Sequence, residues 1–399
     1  MLSLGFFGCA WLGTVLSPPD GTAVSYWLPG GFFIAVLLNN PTRDWPWLLA
    51  AALPANIGFD LLHDAHPNPL LIAGFCLANI IQAGGGAWLV RRFVHVCPRL
   101  TSLSEFTGFI LCAGVVGSAG GATIGSLLLT QLKLAPTFGA IWPVLWGGNF
   151  MAVLVLAPLI LVWGDTGMRT QAARGWNFWR MTEAILVYGG MLGFLTLILA
   201  HGKGITSPKI PVLVFVMWSG LRFGLPGASI MVFLLAISTS YLTTHYQRGL
   251  TPEEIATSSY VFGLQIFVAI SSMVALVPTI VLAERNRALA DLRQSEARFR
   301  NLTNAAFEAI VISEGGRILD VNDQCARLFG SRREDLIGRN LIDYVAPSSR
   351  AIAAAAIQER REMRIEYLLQ RPDGSTFHAE VQGRIWHVEG RAVGMTSIR

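Results

Sequence analysis

Charge is what this chain has least of. Only 14% of its 399 residues are Asp, Glu, Lys or Arg, against 53% hydrophobic, and mean hydropathy is +0.50. That balance excludes the two or three soluble domains that the length alone suggests. The net charge of +5 divides into +3 before Ala283 and +2 after it, too dilute for a nucleic-acid surface. Cysteine is scarce too. Cys9, Cys76, Cys97, Cys112 and Cys325 are far apart, so neither a disulfide framework nor a zinc site is indicated.

What charge there is clusters at one end. Residues 1–282 hold 21 charged side chains, whereas the 117 residues from Ala283 onward hold 34. The boundary separates a membrane body from a soluble tail. Ten apolar segments precede it: Leu2–Leu16, Thr22–Leu38, Trp45–Leu62, Leu70–Val90, Phe106–Leu129, Phe138–Val162, Met181–Ala200, Ile210–Leu221, Leu225–Tyr241 and Ser258–Leu282. The eighth is short, so it and the ninth form either two spans or one re-entrant pair. The expectation is therefore about ten transmembrane helices, alternatively eight. Both counts put the two termini on one side. The loops on that side carry eight Lys and Arg against four opposite, which makes both termini cytoplasmic.

Several polar residues sit at membrane depth: Asn56, Asp60, Asn79, Gln82 and Asn149. An unpaired polar group there is costly, so they either bond between helices or form a pocket that receives a stimulus. "DLLHDAH" adds His63, Asp64 and His66 beside Asp60, a pattern able to bind a divalent metal but supported by no ligand elsewhere. "GSAGGATIGS" spaces Gly117, Gly121 and Gly125 four apart, a face on which two helix backbones approach closely.

The order of features resembles the first class of the membrane-associated sensor (MASE) domains found at the front of bacterial signalling proteins. Its first element is "WLPGG", with Trp27, Pro29 and Gly30. Trp45–Pro46 opens the next span, with Asn56 at its middle. Asn79 and Gln82 lie in a span that ends in Arg91 and Arg92. A Trp-rich span holds Trp142, Trp146, Gly147 and Asn149 and ends in Ala157–Pro158. The resemblance covers about residues 1–283; Leu28 and the abbreviated first span depart from it. "GGNF" at Gly147–Phe150 superficially matches the diguanylate cyclase signature but lacks its acidic pair and lies inside a span.

At the boundary and beyond it, Leu282, Leu289, Leu292, Phe299 and Leu302 recur as on a coiled-coil seam, so residues 283–303 read as a dimeric signalling helix. From 304 to 399 the pattern is α+β. Strands "EAIVIS" and "RILDVN" come first, then short helices. "MRIEYLLQ", "STFHAEVQGRIWHV" and "RAVGMTSIR" complete a five-stranded antiparallel sheet. On the long strand Phe377, Ala379, Val381, Gly383 and Ile385 share the face that lines the core. This tail resembles a PAS domain, which implies a sensor and dimerisation module with a small pocket. No cofactor is indicated: the stretch around Cys325 is not the flavin-photochemical motif, and the long PAS helix has no haem-ligating His.

The two resemblances together imply the sensory input module of a bacterial inner-membrane receptor, non-enzymatic in this chain. It would be homodimeric and driven by an unknown small-molecule or protein stimulus. "MTSIR" stops one residue short of the Asp that opens the output helix in such proteins, so the chain reads as an input half cut at its output junction, by truncation or as a naturally short protein, with the output domain absent from it. A cyclic-di-GMP enzyme is favoured there over a histidine kinase. The alternative from another class is a transporter or channel with a regulatory PAS domain. Against it stand the lack of an intramembrane Lys or Arg relay and of an inverted repeat.

Overall fold

The computed structural model describes residues 2–17, 26–63, 67–94, 99–174, 177–201, 211–246, 258–305, 308–359, 363–388 and 391–399. It divides into two compact units, Met1–Asn286 and Arg287–Arg399. Among its described residues the first is built of helices, the last of which runs on beyond Asn286: α1 (Leu2–Val15), α2 (Leu28–Asn39), α3 (Trp45–His63), α4 (Pro69–Phe93), α5 (Leu103–Gln131), α6 (Phe138–Gly164), α7 (Thr166–Arg174), α8 (Phe178–His201), α9 (Val212–Tyr246) and α10 (Ser258–Ala305).

Six of these are long and apolar enough to cross a membrane: α4, α5, α6, α8, α9 and α10. The expectation of ten or eight spans also drew on α1, α2 and α3. Helices α1 and α2 have only 14 and 12 residues, and Asn56 and Asp60 dilute the apolarity of α3.

The eighth and ninth apolar segments are the arms of one broken helix. Within α9, Gly224 has φ 67° and ψ −164°, a conformation that favours glycine, and the chain doubles back there. Tyr188 of α8 records the reversal. Its hydroxyl donates to the Gly227 carbonyl at 3.2 Å and accepts from Ser219 Oγ at 3.1 Å. In a straight helix residues 219 and 227 would lie about 12 Å apart along the axis. One arm is pinned to α8 by the Arg222–Glu183 ion pair, 2.8 Å long, and by Trp218 Nε1, which donates to Glu183 at 3.1 Å.

Helices α4 and α5 meet backbone to backbone. A Cβ at Gly117 would sit 2.9 Å from the Gly86 Cα, and one at Gly121 would sit 3.1 Å from the Ala78 carbonyl. Both helices are π-wound at this contact, over Ile81–Gly85 and Ile110–Gly117. Gly125 continues the face against Leu145 and Phe75. The wider π turn carries an extra residue while the helix continues, and such segments are frequent at functional sites.

The second unit is a five-stranded antiparallel sheet in the order β2-β1-β5-β4-β3: β1 (Ala309–Glu314), β2 (Arg317–Val321), β3 (Met363–Gln370), β4 (Thr376–Val388) and β5 (Arg391–Ile398). Helices α11 (Asp323–Phe329), α12 (Arg333–Leu336) and α13 (Arg350–Glu359) lie between β2 and β3. Gly315 and Gly316, both at positive φ, turn β1 into β2, and Gly374 does the same between β3 and β4. Asn322 locks the start of α11 to β1, accepting from the amides of Cys325 and Ile310, each at 2.9 Å. Ala379 is buried, with Phe377 and Val381 packed on the same core.

Tight packing of α2 on α6 is testable. A Cβ on Gly31 would drive into the Ala152 carbonyl, whereas one on Gly58 meets nothing within 4 Å. Gly31→Ala should lose about 1–3 kcal/mol of stability to overpacking, and Gly58→Ala should not, in thermal unfolding of the detergent-solubilised protein. Equal behaviour of the two variants would refute this packing.

Candidate functional site

The first candidate site is built around the start of α2. Proline 29 suits the first helical turn, where an amide would have no partner. Just before the helix, Trp27 bonds to two elements. Its backbone amide donates to the Gly148 carbonyl of α6 at 3.2 Å, and its indole Nε1 donates to Asn79 Oδ1 of α4 at 2.8 Å. Gln82, one turn beyond Asn79, is 1% exposed and threads between glycines. A Cβ on Gly30 would lie 2.5 Å from its Nε2, and one on Gly121 would lie 3.2 Å from its Oε1. That Nε2 has no hydrogen-bond partner among the described residues.

Asn149, buried on α6, neighbours the Gly148 contact. Gly147 faces Gln265 of α10, whose Oε1 would lie 2.5 Å from a Cβ placed there. Sequence reasoning passed over Gln265. Its signal was an amide in an otherwise apolar span. Asn56 and Asp60 belong to α3, where Asn56 Nδ2 donates to Cys76 Sγ at 3.3 Å. The structure thus brings Trp27, Gly30, Asn79 and Gln82 together, whereas its contacts place Asn56 beside Cys76.

The other end of α2 is closed by the residues of the remaining motifs. Arg91 donates through Nη2 to the carbonyls of Leu37, Leu38 and Asn40. Trp45 Nε1 donates to Leu37 at 2.8 Å and Asn40 at 3.2 Å, and the guanidinium lies 5.0 Å from the Trp45 ring centroid. The positive charge sits where the helix dipole is negative. Arg92 instead covers Phe93, and Pro46 lies in the first turn of α3. Trp142, Trp146 and Phe150 stack along α6, and Trp146 Nε1 reaches the Val115 carbonyl of α5 at 3.2 Å. Pro158 is buried in the last turns of α6.

No group of three metal-ligating side chains occurs among the described residues. Asp64 and His66 lie outside them. His63 stacks on Phe59 with ring centroids 4.1 Å apart.

The second candidate is a cavity of about 160 Å³ inside the sheet domain. Its mostly apolar lining includes Ser313, Tyr344, Tyr367 and Thr396, with Cys325 and, on β4, Arg384. Burial pushes the Cys325 thiol up to about 12, so it stays protonated and unreactive, and raises both tyrosines above their ordinary value. Gly383 and Ile385 of β4 also line the cavity. The His378 side chain is on the exposed face.

A family model of the membrane-associated sensor MASE1 matches residues 2–286. The chain belongs to the MASE1 family. A PAS domain model matches residues 308–398. The MASE1 chain is therefore a membrane sensor domain joined to a PAS domain, a sensory input module with no recognised catalytic domain. Its PAS part is similar to several solved structures. That of an HTR-like protein from Haloarcula marismortui is 20% identical, covering 29% of this chain and 98% of that one, with TM-score 0.27. That of a two-component sensor histidine kinase is 22% identical, covering 28% and 97%, with TM-score 0.25. That of a LuxR-family regulator from Burkholderia thailandensis, solved with ethanol, is 24% identical, covering 25% and 95%, with TM-score 0.22. Comparison with curated proteins returned no match.

The cavity generates a prediction. A Cβ on Gly383 meets nothing within 4 Å, and the residue points inward. Gly383→Val should fill empty space and raise the melting temperature of the PAS unit, since filling cavities and replacing strand glycines both stabilise. A lower melting temperature would mean that this wall is already packed.

Proposed function

We propose that this chain is the input half of a homodimeric receptor in the bacterial inner membrane, with both termini in the cytoplasm. A stimulus alters the polar cluster at the start of α2, and α10 carries the change toward the PAS domain. The observation that carries this reading is the continuity of α10. One helix of 48 residues contains both the last apolar span and the charged stretch after it. At 1.5 Å per residue it is about 72 Å long, more than twice a hydrocarbon core of ~30 Å.

The same helix supports dimerisation. Leu282, Leu289 and Leu292 are 39%, 41% and 65% exposed, so among the described residues the apolar seam is left largely uncovered. A second copy of the helix provides one through the heptad relation of Leu282 and Leu289. The cavity in the PAS domain then serves as a second input, suited to a small uncharged ligand. A cyclic-di-GMP enzyme is the favoured output, ahead of a histidine kinase. Support for it is the resemblance to sensor domains that stand at the front of such proteins, an argument from analogy.

Two experiments test this. Single cysteines replacing Leu282, Leu289 and Leu292 should cross-link between copies in membranes, and cysteines at Arg287 and Asp291 should not. Uniform cross-linking, or none, would remove the paired helix. Reporter fusions at Arg174 and Arg399 should read cytoplasm, and one near Asp64 should read the opposite side. The reverse pattern would overturn the receptor topology.

A further inference from the structure

At the point where α10 leaves its apolar span, one side chain turns back to the membrane unit. Glu284 accepts a hydrogen bond from the backbone amide of Leu103 at 3.1 Å, across 181 residues of sequence. Leu103 is the first residue of α5, so its amide has no carbonyl partner within the helix. The local cap does not serve it. Ser102 Oγ accepts from Glu105 N at 3.2 Å, and the Glu105 carboxylate accepts from Thr101 N at 3.2 Å. The Leu103 donor is thus satisfied by a carboxylate on another helix, placed at the positive end of the α5 dipole.

We propose that the Glu284 carboxylate and the Leu103 amide form a latch that holds the base of α10 to the first turn of α5, and that its opening frees α10. Helix α5 is suited to work it. Farther along, its Gly117 and Gly121 press on Gly86 and Gln82, at the polar cluster. Between these two ends lies the π-wound stretch Ile110–Gly117. A helix that gives up a π turn re-registers by one residue and rotates its end by about 100°. Such a rotation carries the Leu103 amide away from Glu284. The latch deepens the reading of α10 as the signalling path and rests on it for its purpose. Its existence is separable, because the test below reads the motion of α10 itself.

The test uses a proline. Leu103→Pro deletes the donor and exchanges a partly covered side chain, yet leaves the helix start intact, because proline is favoured at the first helical position. Ser102 before it already has φ −128° and ψ 155°, the extended backbone that a following proline requires. A nitroxide attached at Asn286→Cys, in the full chain in nanodiscs, reports mobility two residues beyond Glu284. Leu103→Pro and Glu284→Ala should each abolish the immobilised component of its spectrum. The double variant should match either single one, because both remove one interaction. Glu284→Gln, which keeps an acceptor oxygen, should retain part of that component. An unchanged spectrum in Leu103→Pro, or additive effects in the double variant, would overturn the latch and leave Glu284 an ordinary surface carboxylate. If either variant unfolds, circular dichroism of the same sample reveals it, and Glu284→Gln then decides: a spectrum unchanged from the parent rejects the latch, and partial mobilisation supports it.

Discussion

The Arg91 guanidinium and the Trp45 indole hold the last carbonyls of α2, and α1, α4 and α6 pack around the helix they close. Twelve residues rise about 18 Å, well short of a ~30 Å hydrocarbon core. A helix that short ends where water is scarce, so its terminal amides and carbonyls need protein partners. Trp27, with Gly148 and Asn79, accounts for one end; Arg91 and Trp45 account for the other. The tryptophan and arginine elements are thereby explained without any ligand. They close the two ends of one short helix, and that helix is the shared neighbour of α4 and α6.

Closing a short helix from all sides demands close approach, and glycine supplies it. Gly31 gives way to the α6 backbone, Gly30 to Gln82, and Gly117 to Gly86. Where backbones touch, side chains cannot cushion a displacement, so a shift in one helix passes directly to the next. That rigidity is broken at chosen places. Gly224 folds α9 back on itself, and the two π-wound stretches sit where α4 and α5 meet.

Much of this was legible beforehand, and what was not has a common cause. The PAS strands showed as period-two alternation around Phe377, Ala379 and Val381, with turns marked by Gly315, Gly316 and Gly374. Asn79 and Gln82 were visible as polar groups at apolar depth, and Gly117, Gly121 and Gly125 as a close-contact face. Hidden from the sequence were partners far along the chain: Trp27 with Asn79, Gly147 with Gln265, and Leu103 with Glu284. Such pairs follow from which helices pack together, and a single sequence carries no direct signal of that. The π windings left no mark either, because the apolar pattern tolerates one extra residue. Length and composition give six candidate spans among the described residues, fewer than the ten or eight read from the sequence, for a related reason. Helices α1, α2 and α3 are apolar enough to register as segments, yet too short or too polar to cross by length and composition alone.

Gln82 gives the clearest measure of what the membrane unit has left undone. Its Nε2 is buried without a hydrogen-bond partner among the described residues, although Asn79, one turn before it, accepts from Trp27. Leaving a buried donor unsatisfied costs about 1–3 kcal/mol. An acceptor brought to that nitrogen would recover the same amount, in only those conformations that present it. Coupling free energies between sites in regulated proteins are typically also 1–3 kcal/mol. One missing hydrogen bond at the start of α2 is therefore enough to bias a two-state equilibrium five- to 150-fold. Full pairing of the cluster would have made the unit more stable.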